Sequence, residues 1–420
     1  MSPSNPFIFG GPVRGDEFLD RRRSLRRLIT VIRHGGSALV TGEPCIGKTS
    51  LLLHLQAQEP EAFDLPDRSL ARHYLDGHTM DGWDAERFWR EALAPLQEVP
   101  AAQAAYGQPR FDFAAWEEAF RALERQGFHF VLLLDEFDAL QREPGLHTRA
   151  VYGCLRSLAS RFRSFSVIAT SRKSLTDLNT ATRDFTAGSP YFNFMQEVPV
   201  RPFPGKAIGE LLQRGDRFTP DDRRFLRRIA GRHPYFLQAA AYYLWEAYGE
   251  SDEAQVRYLQ TAQAFYTQVG QAVLDDIWRA WTPYVQMAFT LAALTTIPAL
   301  LQEDRFDTEG LMRMWPHLGP ELFKLERRGF LRCDEQAPTG YTPSAEVMLW
   351  YLADHLTALL RPEIALKDWL LGQRWEGLLK GSEKEALLRS IRGMGRLLER
   401  GAQVFIEAAA KGAAQGLVGR

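Results

Sequence analysis

The stretch Val40-Thr41-Gly42-Glu43-Pro44-Cys45-Ile46-Gly47-Lys48-Thr49 decides the fold of this chain. Residues 42–49 match the pattern G-x-x-x-x-G-K-[ST]. An apolar segment, residues 37–40, precedes the pattern, and residues 50–58 after it have the character of a helix. The string alone arises by chance in roughly one in 70 chains of this length, but the strand-loop-helix context is the one that the pattern requires. The sequence therefore predicts a phosphate-binding loop.

The residue types in this loop suit a nucleoside triphosphate. Glycines let the backbone curl so that its amides face the phosphates, and the following helix adds the positive end of its dipole. We expect Lys48 to neutralise the β- and γ-phosphates and the Thr49 hydroxyl to bind Mg²⁺. The loop residues predicted to bind ATP or ADP are Gly42, Glu43, Pro44, Cys45, Ile46, Gly47, Lys48, Thr49 and Ser50.

Two adjacent carboxylates, Asp135 and Glu136, follow the apolar run 131–134. Open α/β sheets bind their ligands at the carboxyl ends of the strands, so both acids are predicted to lie at a binding edge. We expect Asp135 to orient Mg²⁺ and its waters, and Glu136 to hold and polarise the water that attacks the γ-phosphate. Asp138 is interpreted as a helix cap or the partner of a basic side chain.

Short apolar segments alternate with helical patterns between residues 36 and 200, which is typical of a mostly parallel α/β sheet. The third and fourth segments are apolar without alternation, as strands covered on both faces are, and we place them at the sheet centre. The predicted strands are residues 37–40, 72–75, 128–134, 166–169 and 197–200. The predicted fold is an α/β P-loop NTPase of the ASCE type with a parallel five-stranded sheet.

The fourth predicted strand ends in Thr170-Ser171-Arg172. A polar group at the tip of the strand beside the acid-bearing one can bond the attacking water or the γ-phosphate. We assign Arg172 a catalytic role with Lys48 and Glu136, because a guanidinium there can stabilise charge on the transferring phosphoryl group. A surface arginine in a loop is the equally weighted alternative. Arg183, further along, is a candidate for an arginine finger acting on a neighbouring subunit.

Strand signals fade after residue 204, and helical patterns follow. The stretch Gly231-Arg232-His233-Pro234-Tyr235 marks a helix start within them, where Pro234 and its neighbours are expected to meet the nucleotide. Around residues 281–356 the order helix, helix, helix, strand, turn, strand, helix suits a winged helix. The predicted domains are residues 1–204 for the P-loop core, 205–278 for a helical lid, 279–358 for the winged helix and 359–420 for a helical tail.

With these motifs in this order, the chain resembles the AAA+-like STAND ATPases, the signal-transducing switch NTPases of prokaryotes. The segment with Asn5-Pro6-Phe7, Gly10-Gly11-Pro12-Val13 and Phe18-Leu19-Asp20-Arg21 is similar to the one that closes over adenine in that class, although Asp20 stands where Gly is usual. The resemblance implies that Val13 and Pro234 contact the nucleotide. It also implies Walker A at residues 42–49, Walker B at Asp135-Glu136 and sensor 1 at residues 170–172.

Two functions remain open at this point. The first is a regulatory switch that hydrolyses ATP slowly and whose bound nucleotide controls conformation, self-association or engagement of an effector protein. The second is a DNA-acting AAA+ ATPase, a loader or a transposition or repair helper, which would bind DNA through Lys324, Arg327 and Arg328 of the winged helix. The arginines of residues 21–27 are interpreted, like those three, as a solvated face.

Composition gives little electrostatic support for the second function. The net charge is -1, so any basic surface must be local.

Three cysteines without metal-ligand spacing favour a reducing compartment, and the N-terminal residues lack the features of a signal peptide. No apolar run is long enough to span a membrane, so the expected location is cytoplasmic. The Ala/Gly-rich stretch 408–416 is expected to be a helix that packs against a partner rather than one that lies on a membrane.

Overall fold

The computed structural model describes residues 4–63, 70–185, 190–269, 273–301, 312, 315–357, 366–375, 377–393, 395 and 400–418. These residues form two compact units. The described residues of Pro12–Glu43 and Gly47–Val200 make up the first, here called the sheet unit. Those of Met1–Gly11, Pro44–Ile46 and Arg201–Arg420 make up the second, here called the helical unit.

A parallel five-stranded sheet is the centre of the sheet unit. Its strands are β1 (Ser37–Thr41), β2 (Leu70–Asp76), β3 (His129–Asp135), β4 (Phe165–Ser171) and β5 (Met195–Pro199). They are ordered β2-β3-β4-β1-β5, and every neighbouring pair is parallel. The five predicted strands are thus confirmed, with ends shifted by at most two residues.

The three interior strands of the sheet are more deeply buried than its two edge strands. Every residue of β1, β3 and β4 is buried, whereas β2 is half-buried along its length and β5 is buried only at Met195 and Val198. The prediction that the third and fourth strands are interior is confirmed, with β4 in the middle. Because all strands run in one direction, the segments that follow β1, β3 and β4 leave the sheet at the same edge.

Helices surround this sheet, and the apolar positions of their sequences decide which sides they bury. Helix α1 contacts β1 and β5 and buries Leu28, Val31 and Ile32, while α2 contacts β2, β3 and β4. The helices of the sheet unit are α1 (Arg22–Arg33), α2 (Lys48–Gln56), α3 (Ala85–Ala92), α4 (Gln103–Tyr106), α5 (Phe113–Arg125), α6 (Arg149–Arg161) and α7 (Leu175–Ala181).

From Arg201 onward the helical unit starts with the helices predicted as a lid. Thr219 and Asp222 form a capping box at the start of α9, with Pro220 at its first position, which fixes that helix start by satisfying free backbone amides. The helices up to the predicted winged helix are α8 (Gly205–Gln213), α9 (Pro220–Ala230), α10 (Pro234–Ala247), α11 (Ala254–Val269) and α12 (Asp275–Ala280).

The region predicted as a winged helix contains α13 (Pro283–Leu301), α14 (Trp315–Arg327), β6 (Leu331–Cys333), β7 (Tyr341–Pro343) and α15 (Glu346–Thr357). The two strands pair antiparallel, as the predicted wing requires. The predicted run of three helices before the strands also includes residues 302–314, of which only Met312 is among the described residues. The winged helix as a whole stays a prediction.

The tail consists of α16 (Leu366–Gly372), α17 (Gly381–Gly393) and α18 (Ala402–Val418). Helix α18 packs against α9, α11 and α15 of its own chain and buries Phe405, Ile406, Ala409 and Ala410. Ala409 and Ala410 of the Ala/Gly-rich stretch therefore pack within the helical unit.

The N-terminal residues form part of the helical unit. The division into four domains, with the P-loop core at residues 1–204, stays a prediction. Residues 4–11 group with the helical unit rather than with the sheet, because Phe7 is buried there. Its ring stacks on Phe218 with centroids 5.3 Å apart and meets Trp245 edge-on at 6.4 Å. On the C-terminal side of the sheet, the division between the two units falls between residues 200 and 201.

Within the described residues no helix is both long and apolar enough to cross a bilayer.

Candidate functional site

The loop after β1 has the backbone geometry of an anion cradle. Gly47 caps α2 with φ of 98°, a left-handed conformation that glycine adopts without the steric cost of a Cβ. Helix α2 begins at Lys48, two residues before its predicted start. The backbone amides of the first turn, which have no partner inside a helix, thus belong to residues of the phosphate-binding pattern itself.

Lys48 places a buried positive charge at the same point. Its side chain is 4% exposed, and its ammonium donates hydrogen bonds to the carbonyl oxygens of Gly42 and Glu43, both at 3.1 Å. Burial lowers the pKa of Lys48, and the nearby Glu136 carboxylate partly offsets that effect. An ammonium has three donor hydrogens, so one remains for an anion. A phosphate there would compensate the charge that burial makes costly.

Asp135, at the end of β3, accepts hydrogen bonds from two neighbouring strands. The Tyr74 hydroxyl on β2 donates to Oδ2 at 2.9 Å, and the Thr170 hydroxyl on β4 donates to Oδ1. The Glu136 amide donates to Oδ1 at 3.2 Å. A carboxylate has about four acceptor positions, so about one is left. That suits a single water of a hydrated Mg²⁺, which keeps several of its waters in proteins.

Thr170 supports both acids. Besides donating to Asp135, its hydroxyl accepts a hydrogen bond from the Glu136 amide at 2.9 Å, and the residue is fully buried. The sequence predicted that a polar group here bonds the attacking water or the phosphate. The structure directs the Thr170 hydroxyl at the acid pair, and the contact of residues 170–172 with water or phosphate stays a prediction.

Tyr74 is a residue that the sequence analysis did not single out. Burial and the adjacent Asp135 raise its pKa, so the hydroxyl keeps its proton and remains a donor to that carboxylate. Tyr74 lies two residues before Asp76, the last residue of the edge strand β2. The register pairs Asp76 with Asp135, so the position of Tyr74 near this strand end is the signal that could have identified it.

Glu136 leaves the sheet with φ of 47°, a left-handed backbone that is uncommon outside glycine. Its side chain is 15% exposed, and its Oε2 lies 3.4 Å from Arg172 Nε and 3.9 Å from His78 Nε2. The turn fits closely against Gly77, because a Cβ on that glycine would lie 2.6 Å from the Glu136 carbonyl oxygen. The carboxylate is therefore held at the sheet edge beside a cation.

Arg172 was predicted to face the transferring phosphoryl group or to be an ordinary surface arginine. Its guanidinium is paired with Glu136, and its backbone amide donates to Asp138 Oδ1 at 3.1 Å. Asp138 thus bonds to the backbone after β4 and does not cap a helix.

A solved structure has a similar fold. A Walker-type ATPase of Pyrococcus abyssi superposes with a TM-score of 0.50 at 17% identity, covering 82% of this chain and 99% of that one. The chain has the P-loop NTPase fold. At this identity the likeness establishes the fold alone.

Weaker likenesses are the ORC2 protein of Aeropyrum pernix in ADPNP-ADP complexes, with a TM-score of 0.46, and the ORC1 protein of the same organism in complex with DNA, with 0.40. The ORC2 protein is 13% identical and its match covers 79% of this chain; the ORC1 protein is 16% identical and its match covers 80%. Each match covers 92% of the ORC protein itself. No protein-family model matches the sequence, and no curated protein does.

Two residues that precede α1 lie against the phosphate-binding loop within the sheet unit. The Val13 amide donates to the Ser50 hydroxyl at 3.1 Å, which ties the segment before α1 to the first turn of α2. Arg21 is 7% exposed, and its Nη2 would lie 4.0 Å from a Cβ placed on Gly47. Burial lowers the pKa of this guanidinium to about 10, so it remains charged near neutral pH.

The remaining predicted nucleotide contacts, Pro44, Cys45, Ile46 and Pro234, belong to the helical unit. Pro234 is the first residue of α10, as predicted. The adjacent His233 is buried, and its Nε2 lies 3.1 Å from the carbonyl oxygen of Pro44. The contact of these four residues with a nucleotide stays a prediction.

Proposed function

We propose that this protein binds ATP and Mg²⁺ and hydrolyses ATP slowly, as a regulatory switch of the AAA+ or STAND type. The observation that carries the proposal is the convergence at one sheet edge of the buried Lys48 ammonium and the Asp135-Glu136 pair. A buried cation at a helix start attracts phosphate, and carboxylates beside it suit a hydrated metal ion and a nucleophilic water.

Each residue has a defined task in this proposal. Lys48 and the first-turn amides of α2 bind the β- and γ-phosphates. Thr49 and Asp135 would hold Mg²⁺, which when bound would supply positive charge against the charge that develops on the phosphates. Glu136 accepts a hydrogen bond from the attacking water and orients it. Tyr74 and Thr170 position Asp135 and Glu136 through the hydrogen bonds described above.

The contact between Glu136 and Arg172 supports a slow rate. With Arg172 Nε 3.4 Å from its Oε2, the carboxylate already faces a cation. We infer that Arg172 turns toward the γ-phosphate when ATP is bound, which would release Glu136 to the water and bring the guanidinium to the developing charge. The nucleotide state would then decide which partner Arg172 has, as a switch requires.

The alternative of a DNA-acting ATPase rests on the predicted recognition helix, α14. Lys324 pairs with Glu321 at 2.9 Å, and the Arg327 guanidinium lies over the Phe323 ring. Charges of both signs on this helix leave a thin electrostatic footprint for DNA. Self-association or an effector protein remains the proposed partner of the switch, and the cytoplasm its proposed location.

Two substitutions test the site. Lys48→Ala should abolish ATP binding measured by calorimetry, because it removes the charge that the phosphates meet. Glu136→Gln should keep ATP binding while hydrolysis falls by about 10²-fold or more, on the scale of losing a general base. Lys206→Ala, at a lysine whose side chain is 86% exposed on α8, is the control for removing a lysine and should match the parent protein.

Unchanged affinity in Lys48→Ala would remove the nucleotide site, and parent-rate hydrolysis in Glu136→Gln would reassign the base. Mass in solution with ADP, with ATP and for Glu136→Gln then tests the switch. ATP-dependent assembly supports it, whereas the same monomer under all three conditions contradicts assembly controlled by the nucleotide.

A further inference from the structure

Helix α1 carries a concentration of positive charge unlike that of any other described helix. Its sequence, Arg-Arg-Ser-Leu-Arg-Arg-Leu-Ile-Thr-Val-Ile-Arg, contains five arginines and no acidic residue. Arg22, Arg23, Arg26 and Arg27 are all exposed. We call these four side chains the α1 arginine face.

The α1 arginine face lacks the compensation that surface charges usually have. Among the described residues, no carboxylate lies within ion-pair distance of these four guanidiniums. Asp20, just before the helix, acts on Arg21 instead. The four charges also occupy the N-terminal half of α1, where the positive end of the helix dipole disfavours cations. The cluster is therefore unfavourable for the local stability of α1.

The chemistry of this face fits phosphate better than a protein surface. The apolar residues Leu28, Val31 and Ile32 are buried in the sheet unit, so the face offers no apolar centre of the kind that protein interfaces use. All four cations are arginine, whose planar fork can contact phosphate oxygens in pairs.

The absence of aromatic side chains from the sequence of α1 distinguishes two kinds of nucleic acid. Single strands are commonly bound by stacking bases on aromatic rings, which α1 does not provide. The arginine face spans about 7.5 Å along a rigid helix, at 1.5 Å per residue. Duplex DNA presents about four phosphate charges over that length of its axis.

We propose that the α1 arginine face binds the phosphate backbone of duplex DNA without reading its sequence. The contact belongs to the sheet unit and not to the predicted winged helix, and it depends on neither ATP hydrolysis nor the switch. It supplies the local basic surface that a chain of net charge -1 needs for such binding.

The test uses the full chain and fluorescence anisotropy with two 20-base-pair duplexes of unrelated sequence. The variant replaces Arg22, Arg23, Arg26 and Arg27 with Gln. The control replaces Arg121, Arg125, Arg142 and Arg149, four exposed arginines elsewhere on the sheet unit, with Gln, which lowers the net charge equally. ATP binding and the melting temperature are measured on both, to show that they fold.

We expect the parent protein to bind both duplexes with similar affinity. The α1 variant should bind at least about tenfold more weakly at 100 mM salt, and the slope of log K against log salt should fall by up to about 3.6, at 0.9 for each lost phosphate contact. The control should bind within about twofold of the parent. Its melting temperature, and that of the α1 variant, should not fall.

Three results would overturn the proposal. They are no duplex binding by the parent protein, equal losses in variant and control, and tighter binding to a single strand of the same length. Unchanged ATP affinity in Lys48→Ala would contradict the proposed nucleotide site and leave duplex binding by the α1 arginine face untouched. The two proposals therefore fail separately.

Discussion

Thr170 shows how much one side chain contributes to the arrangement of the site. Its buried hydroxyl bonds to the Asp135 carboxylate and to the Glu136 amide, so it fixes both acids from the neighbouring strand. A hydroxyl can donate once and accept as well, and here both capacities are used. Removing it would leave two buried polar groups without that partner.

Thr170→Val keeps the shape of the side chain and removes both hydrogen bonds. We expect the free energy of unfolding to fall by about 1–3 kcal/mol, the cost of an unsatisfied buried polar group. Hydrolysis should fall as well, because Glu136 loses its anchor. Thr170→Ser keeps the hydroxyl and should retain most of the activity. Denaturant unfolding and steady-state hydrolysis measure both effects, and equal behaviour of Val and Ser variants would contradict this role.

At the residue scale the sequence identified Lys48, Asp135 and Glu136, because a phosphate-binding loop and an apolar strand ending in acids are local patterns. It did not identify Tyr74 as a partner of Asp135. These two residues are 61 positions apart, and only the pairing of β2 with β3 brings them together. The sequence favours a phosphate-facing Arg172 and a surface arginine equally, and for the same reason it does not reveal the pairing of Arg172 with Glu136.

At the scale of elements, the short helical turn Gly77–Thr79 after β2 packs against the backbone that follows β3. Gly77 is needed there because a Cβ would lie 2.6 Å from the Glu136 carbonyl oxygen and 3.0 Å from that of Asp135. Neither neighbour is a flexible side chain, so the backbone of the acid pair would have to move.

Gly77→Ala should therefore lower the free energy of unfolding by about 1–3 kcal/mol, as overpacking does. It should also reduce hydrolysis without abolishing ATP binding, since Lys48 is on another element. Gly205→Ala is the matched control, because a Cβ there meets nothing within 4 Å and the residue opens α8. Thermal unfolding and ATPase assays would reject the argument if both variants behaved alike.

The ends of helices illustrate what local sequence specifies. Pro234 begins α10 as predicted, because proline suits the first position of a helix. The start of α2 differs by two residues from the prediction, since the left-handed Gly47 lets the helix begin at Lys48. Such a boundary depends on how the loop folds back, which the apolar pattern does not encode.

At the scale of the whole molecule, a few aromatic contacts decide to which unit the N-terminal segment belongs. Phe7 is 1% exposed and packs on Phe218 and Trp245, while the Asn5 amide donates to the Tyr242 carbonyl oxygen at 3.2 Å. The predicted P-loop core, residues 1–204, includes this segment. The structure groups residues 4–11 with helices more than 200 positions away.

Phe7→Ala should release this segment and lower the stability of the helical unit by about 3–5 kcal/mol, the usual cost of truncating a buried aromatic side chain. Ile8→Ala, at a neighbour that is 46% exposed, should cost less than about 0.5 kcal/mol. Hydrogen exchange of residues 4–11 and thermal unfolding measure the two effects. Equal protection in the two variants would show that Phe7 is not the anchor.

The sequence by itself determined the parallel sheet, the phosphate-binding loop and the acid pair. Each of these follows from patterns within a few residues, through backbone propensity, apolar periodicity and the chemistry of adjacent side chains. Only the tertiary structure decided that Tyr74 and Thr170 hold Asp135, that Arg172 faces Glu136 and that Phe7 belongs with the helical unit. Those contacts join residues 34 or more positions apart, and they depend on strand order and packing, which no local pattern specifies.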